Sequence, residues 1–113
     1  MARSGQIVLF SFPQTNLVRG KLRPALIIDK FPGAFDDWLI CMISTQVHHY
    51  HKGFDNRIAT TDSDFVRSGL KQTSIIRVGR LAVVDAKMLI GSIGEIDQVR
   101  LSTIKANLIN WLN

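Results

Sequence analysis

The sequence is poor in cysteine and proline, and it has no apolar run near the roughly 20 residues that span a bilayer. Its one cysteine, Cys41, excludes a disulfide within the chain and fits a reducing compartment, and its apolar surroundings predict a small buried core residue. No secretory signal is visible, so we expect a cytoplasmic protein that does not enter membranes. Glycine-rich phosphate loops, repeats and linkers are also absent, so residues 1–113 are expected to form a single domain.

Acidic residues are in the minority, with 9 Asp and Glu against 14 Lys and Arg, which gives a net charge of +5. Such a surplus in a small domain favours an anionic partner, either a nucleic acid or an acidic protein. A basic surface with no partner would have the same composition. At 46% hydrophobic and 20% charged residues, the chain is typical of a globular protein and not of a disordered one.

Short apolar segments predict a mainly β protein. Three early strands are expected at Gln6–Phe12, Pro24–Asp29 and Trp38–Thr45, and they are apolar enough to be buried on both faces. The first two form a hairpin with a long basic loop. Further strands are expected at Arg57–Thr60, Thr73–Val78, Leu81–Asp85 and Ile90–Ile93. A bulge or tight turn at Gly79-Arg80 separates the middle two.

The end of the chain has the one clear helical pattern, at Ile96–Leu112 with Asp97 as the N-cap. Its apolar stripe comprises Leu101, Ile104, Leu108 and Leu112, widened by Ile109 and Trp111. Single helical turns are expected at Thr61–Ser68, capped near Asp62 or Ser63, and at Ala86–Leu89, and Gln46–Asn56 is expected to be an exposed loop. Strands in series before one terminal helix predict a compact β-barrel or a strongly bent sheet.

The histidines His48, His49 and His51 raise the hypothesis of a metal site with Asp55 nearby. Histidines so close in a strand or loop point in different directions, and no second ligand cluster exists elsewhere, so we predict no metal site. On an exposed rim they could instead contact RNA bases or a partner protein. No nucleophile motif is present, because Ser44 lacks the G-x-S-x-G context.

Basic side chains are the remaining candidates for chemistry: Arg19, Lys21, Arg23, Arg77 and Arg80, with the hydroxyls of Ser44 and Thr45 at the end of the third strand. Guanidinium groups match phosphate geometry in bidentate fashion, so this set suits a phosphodiester. Pro24 restricts Arg23 to an extended backbone, which fixes the direction of its side chain. Arg77 could alternatively be an edge-strand residue that faces solvent.

Four blocks of the sequence occur in the order and spacing of one known family. They are GQIVLFSFPQTN at residues 5–16, RGKLRPALIID at 19–29, WLICMISTQ at 38–46 and SGLKQTSIIRVGRLAVVD at 68–85. Together they resemble the MazF/PemK toxins of type II toxin–antitoxin modules. The likeness runs from Gly5 to about Ile96, and a C-terminal helix follows where that family has one.

The resemblance implies a mainly β (α+β) fold, an SH3-like, MazF/CcdB-type small β-barrel with a C-terminal α-helix, and a homodimer. It implies an endoribonuclease that cleaves single-stranded RNA sequence-selectively, without a metal or other cofactor, to arrest translation and growth. It also implies a cognate antitoxin whose acidic, partly disordered tail covers the active groove.

By position, the family's arginine before proline falls on Arg23, and the threonine that opens its I-T-x-Q block falls on Ser44. The resemblance therefore implies catalytic roles for Arg23 and Ser44. The RNA-binding set is expected to be Arg19, Lys21, Thr45, Gln46, Arg77 and Arg80. Two positions depart from the family pattern, because serine replaces threonine at 44 and Gly79 stands where some members have an aspartate. Arg23 and Ser44 must then carry more of the chemistry.

Two other functions remain open on the same features. Gyrase-inhibiting toxins of the CcdB type resemble this fold and use the C-terminal end of the chain, which makes Trp111 a possible contact, although we prefer helix packing for it. A nucleic-acid-binding barrel without cleavage would need the basic face but no hydroxyl.

Overall fold

Six antiparallel strands form one curled sheet, a half-barrel that packs against a C-terminal helix, in the computed structural model, which describes residues 2–11 and 21–113. The strands are β1 (Gln6–Ser11), β2 (Leu22–Lys30), β3 (Asp37–Ser44), β4 (Asn56–Ile58), β5 (Ser74–Asp85) and β6 (Ile90–Glu95). The helices are α1 (Phe65–Ser68) and α2 (Gln98–Leu112). The strand order is β4-β5-β3-β2-β1-β6, so β3 and β2 are central. The predicted fold class and the β1–β2 hairpin are confirmed.

The central strands are buried on both faces, as their near-continuous apolar sequence predicts. Alternation along β2 sends Leu26 and Ile28 to the cluster under α2, and Ala25 and Ile27 to a second cluster on the opposite face. Cys41 belongs to the first cluster and is fully buried, and this burial raises the pKa of its thiol. Cys41 is therefore the core residue that the sequence predicts.

β5 is one continuous strand, so the prediction of two strands at Thr73–Val78 and Leu81–Asp85 is wrong. The register explains why the pattern looks broken: Arg77 pairs with Met42, and the next paired residue, Leu81, faces Cys41. The three intervening residues bulge out of the ladder, which confirms the predicted bulge. Asp55 binds one backbone group of this bulge: its Oδ1 accepts a hydrogen bond of 3.1 Å from the Val78 N–H.

Two elements of the middle segment begin or end at residues other than those that the sequence predicts. The Asp62 carboxylate accepts the Ala59 N–H at 2.9 Å, so β4 ends at Ile58 and does not continue to Thr60. α1 begins after Asp64, one or two residues later than expected.

α2 begins at Gln98, two residues after the expected start, with Asp97 as the predicted N-cap. The Asp97 carboxylate accepts the Arg100 N–H at 2.8 Å. Exposed Gln46–Asn56 contains a 3-10 turn at Val47–His49, but its Asp55 is buried.

The apolar stripe of α2 is only partly covered by the sheet. Leu101, Ile104 and Leu108 are buried as predicted, whereas Ile109, Trp111 and Leu112 are 63%, 57% and 69% exposed. The Trp111 ring still meets the ring of Phe54 edge-on, with centroids 5.4 Å apart. None of the helices in residues 2–11 and 21–113 is long and apolar enough to cross a membrane.

A cluster of polar side chains fastens the start of α2 to the segment that carries β4 and α1. Arg100 donates through Nε and Nη2 to Asp64 at 2.9 and 3.0 Å, and through Nη2 to Asp62 at 2.9 Å. Its Nη1 reaches the side-chain oxygen of Asn56 and the backbone oxygen of Arg57 at 2.6 and 2.8 Å. All five donors of the guanidinium are thus directed at one corner of the fold.

The backbone after α1 lies directly against β6, and Gly69 makes this possible. Gly69 has φ +74°, and a Cβ there would collide with the backbone oxygen of Ile93. We expect Gly69→Ala to lower the free energy of unfolding by more than the roughly 1–2 kcal/mol that a left-handed alanine costs, as measured by urea denaturation. Gly53→Ala is the matched control, because Gly53 has φ +82° with nothing within 4 Å of a Cβ. Equal losses in the two variants would contradict the prediction.

Candidate nucleic-acid interface

Arg23, near the start of β2, and Ser44, the last residue of β3, lie at the same end of two paired strands. The pairing of these strands ends with Ala25 and Met42, so Arg23 and Ser44 each lie two residues beyond the last pair. Alternation puts both side chains on the sheet face that carries Ala25 and Met42. Arg23 also pairs with Phe10 of β1, and its side chain is exposed. An exposed guanidinium and a strand-end hydroxyl therefore lie at the same end of the sheet.

A groove of about 370 Å³ opens at this end of the sheet. Its cationic and polar lining comes from Arg23, Thr45, Lys71, Gln72 and Ser74. Its apolar lining comes from Leu9, Pro24, Ile43, Leu70 and Ile93. Positive charge beside apolar surface suits a polyanion that also carries flat, poorly solvated groups, as the unstacked bases of a nucleic acid do.

Ser44 is only 6% exposed, and two neighbours hold its hydroxyl. The backbone N–H of Gln46 donates to Ser44 Oγ at 3.0 Å, and Nδ1 of His49 lies 3.4 Å from the same oxygen. The 3-10 turn at Val47–His49 brings the imidazole back over the end of β3. Ser44 and His49 therefore form a hydroxyl–imidazole pair at the strand end.

His49 is half-buried and has positively charged neighbours. Partial burial, together with the charges of Arg77, His48 and Arg80, lowers the pKa of His49 below its ordinary value, and only Asp55 opposes this shift. The shift favours the neutral imidazole, which can accept a proton.

A second depression has a volume of about 160 Å³. Arg77 and Arg80 line it together with His51, Asp55 and other residues of the bulge region. Arg77 is half-buried on β5, opposite Met42 of β3 and one residue beyond the last pair of β5 with β4. The bulge after Arg77 brings Arg80 to the same depression.

The predicted site residues thus fall into distinct groups. Arg23 and Thr45 share the groove, Arg77 and Arg80 share the second depression, and Ser44 lines neither of them. Lys21 and Gln46 are exposed beside these groups, and Arg19 lies outside the described residues.

The sequence interpretation missed the roles of His49, Lys71 and Asp55 in this region. Lys71 stands in the block at residues 68–85, which is a signal that could have placed it in the groove. The contact of His49 with Ser44 has no sequence signal, because a 3-10 turn makes it. In the described part of the chain, no three His, Cys, Asp or Glu side chains converge as metal ligands would.

These features define a class of protein: a small basic half-barrel with a C-terminal helix and a cationic groove at one end of its sheet. The chain matches the family described as PemK-like, MazF-like toxin of type II toxin-antitoxin system over residues 3–112. It belongs to that family of toxins.

Solved structures of the same fold cover nearly the whole chain. The MazE–MazF complex of Deinococcus radiodurans has a TM-score of 0.72 at 18% identity, over 98% of this chain and 95% of that chain. The Mycobacterium tuberculosis toxin MazF-mt6 has a TM-score of 0.69 at 16% identity, over 95% of each chain. A mycobacterial endoribonuclease in complex with its cognate antitoxin has a TM-score of 0.68 at 13% identity, over 99% of this chain and 95% of that one. Comparison with curated protein sequences gave no match.

Proposed function

We propose that this toxin is a metal-independent endoribonuclease that cleaves single-stranded RNA sequence-selectively in the cytoplasm and so arrests translation. The observation that carries the proposal is a cationic groove, lined by Arg23 and Lys71, at the end of the sheet where β3 ends in Ser44. Family membership supports it, and one solved structure of the same fold is an endoribonuclease.

The chemistry needs little from the protein, because RNA supplies its own nucleophile. The 2′-oxygen attacks the adjacent phosphorus in line, the P–O5′ bond breaks, and the products end in a 2′,3′-cyclic phosphate and a 5′-hydroxyl. The Arg23 guanidinium stabilises the charge that develops on the phosphorane, and the Ser44 hydroxyl donates to a non-bridging oxygen. Low exposure of Ser44 limits its contact to one small group, such as a single phosphate oxygen.

In this proposal substrate binding uses the groove and the second depression. Lys71 and Thr45 hold the strand in the groove, and Arg77 and Arg80 hold it beyond the scissile phosphate. Exposed Lys21 and Gln46 add a charge and an amide to this surface, and Arg19, outside the described residues, is proposed to bind RNA as well. Single-stranded RNA fits because its unstacked bases can lie against the apolar lining of the groove.

We propose two protein partners, one at the cationic groove and one at the exposed end of α2. A cognate antitoxin with an acidic segment would neutralise the toxin by occupying the cationic groove, where its carboxylates replace the phosphates. The exposed apolar end of α2, formed by Ile109, Trp111 and Leu112, favours a homodimer that covers it.

The test is cleavage of a defined single-stranded RNA by the purified wild-type chain, with and without EDTA. We expect cleavage in both conditions, with a 2′,3′-cyclic phosphate at the new end. A 2′-deoxy nucleotide at the cut position should abolish cleavage there, because the nucleophile is missing. RNA that stays intact in both conditions would contradict the proposal.

A second candidate function is inhibition of DNA gyrase, and the 57% exposure of Trp111 near the C-terminus favours it. The edge contact of Trp111 with Phe54 instead favours a packing role. Inhibition of gyrase supercoiling by the wild type, abolished in Trp111→Ala, combined with intact RNA, would select this function over the nuclease.

A further inference from the structure

Strand cleavage by a 2′-hydroxyl requires a group that takes its proton, and the proposed pair Arg23 and Ser44 does not supply one. A guanidinium stays protonated at any working pH, and a serine hydroxyl is far too weak a base. Gly79 stands where a carboxylate could otherwise serve. The nearest base to Ser44 is the imidazole of His49.

The hydrogen bonds at Ser44 determine how His49 can present its ring. Ser44 Oγ accepts the Gln46 N–H, and its second lone pair can accept from His49 Nδ1, 3.4 Å away. With the proton on Nδ1, the Ser44 hydroxyl hydrogen is free for a phosphate oxygen, and Nε2 carries a free lone pair. His49 is half-buried and Ser44 is only 6% exposed, so the imidazole is the more solvent-accessible member of the pair.

We propose that His49 is the general base of the reaction, an inference that rests on the proposed nuclease function. His49 Nε2 takes the proton of the 2′-hydroxyl as O2′ bonds to phosphorus and the P–O5′ bond breaks. The leaving O5′ takes a proton from water, and the hydroxide that remains is neutralised when His49 releases its proton.

The charges around His49 keep it ready to accept a proton at neutral pH. Arg77 and Arg80 face it from β5, and the His48 ring lies 4.4 Å from it in the same turn. Asp55, in the segment before β4, is the one acidic group that acts on it in the described residues, and its effect is opposite. Partial burial and the positive neighbours prevail, so the pKa of His49 lies below its ordinary value.

The test compares the pH–rate profiles of wild type, His49→Gln, His49→Asn and His48→Gln on the same RNA. The wild-type rate should fall as pH decreases through the pKa of His49, because protonation removes the base. His49→Gln and His49→Asn should both lose roughly 10²–10⁴-fold in kcat with little change in KM, and the acidic limb should disappear. His48→Gln should keep that limb.

The asparagine variant separates a base from a merely positioning residue. Its amide N–H can still donate to Ser44 Oγ as Nδ1 does, so a wild-type rate and an intact acidic limb in His49→Asn would overturn the proposal. An NMR titration of the wild-type ring gives a second measurement that needs no variant: its midpoint should match the kinetic limb, and a mismatch would also overturn it. Failure of the wild type to cut RNA would instead overturn the nuclease function itself.

Discussion

Arg23→Ala is expected to lower kcat for cleavage of single-stranded RNA on the order of 10²–10³-fold, with a smaller change in KM. In the proposed mechanism the guanidinium stabilises the charge on the phosphorane, so its loss should matter most in the transition state. Because the Arg23 side chain is exposed, its removal should change the stability of the fold little. The thermal unfolding midpoint of Arg23→Ala should therefore stay close to that of the wild type.

Arg23→Lys tests whether the charge alone is sufficient. Lysine keeps the positive charge but loses the planar fork that gives two parallel hydrogen bonds to a phosphate. We expect its rate to lie between those of wild type and Arg23→Ala. Rates for Arg23→Lys equal to the wild type would show that the residue acts only as a point charge.

Arg3→Ala is the matched control for charge loss. Arg3 is an exposed arginine whose partner is Glu95, at the opposite end of β1 from the pairing position of Arg23. Its removal lowers the net charge by the same amount but leaves the groove intact, so cleavage should remain near the wild-type rate. If Arg3→Ala and Arg23→Ala slow the reaction equally, the effect is one of overall charge and Arg23 has no local role.

Much of the fold could be predicted because its signals are local in the sequence. The apolar runs that become β2 and β3 are continuous because both faces are covered, and Asp97 caps α2 through a hydrogen bond only three residues away. The extent of β5 was harder to predict, because a polar interruption such as Gly79-Arg80 occurs both in turns between strands and in bulges within one strand. The bulge depends on Asp55, more than twenty residues earlier, which accepts the Val78 N–H.

For the candidate site the sequence contains signals mainly where the family blocks mark a strand position, as at Arg23 and Ser44. Lys71 reaches the groove because the segment after α1 is held against β6 by Gly69, a long-range packing effect. His49 reaches Ser44 because a 3-10 turn reverses the chain within a segment whose composition indicates only an exposed loop. Contacts of this kind depend on where elements dock and not on their own composition.

The second large effect is expected on stability, from Arg100→Met. Asp64 is 2% exposed and accepts two hydrogen bonds from Arg100 and one from the Asp97 N–H. Removing the guanidinium leaves a buried carboxylate without its charge partner, which typically lowers the free energy of unfolding by roughly 3–5 kcal/mol. Urea denaturation at pH 7 measures this loss. RNA binding is not needed for the measurement, so it is independent of the proposed function.

Lys105→Met is the control on the same helix. Its ion pair with Asp29 is partly exposed, at 36% and 59%, and such pairs contribute about 0–1 kcal/mol. Asp64→Asn, alone and combined with Arg100→Met, completes a double-mutant cycle. The double variant should lose less than the sum of the two single variants, because the neutral amide removes the unpaired charge. Additive losses would show that Arg100 and Asp64 are not energetically coupled.

The effect of pH on the unfolding free energy distinguishes loss of the Arg100–Asp64 ion pair from a simple loss of packing. Burial would raise the pKa of Asp64, but the hydrogen bonds from Arg100 and from the Asp97 N–H prevail, so its pKa in the folded wild type is below the ordinary value. The wild type therefore has this stabilisation at pH above the unfolded pKa of about 4 and loses it as pH falls. In Arg100→Met burial acts without the guanidinium, so the folded pKa of Asp64 rises and the variant loses stability as pH increases. The difference in unfolding free energy should hence widen from pH 4 to pH 7, and a constant difference would contradict the assignment.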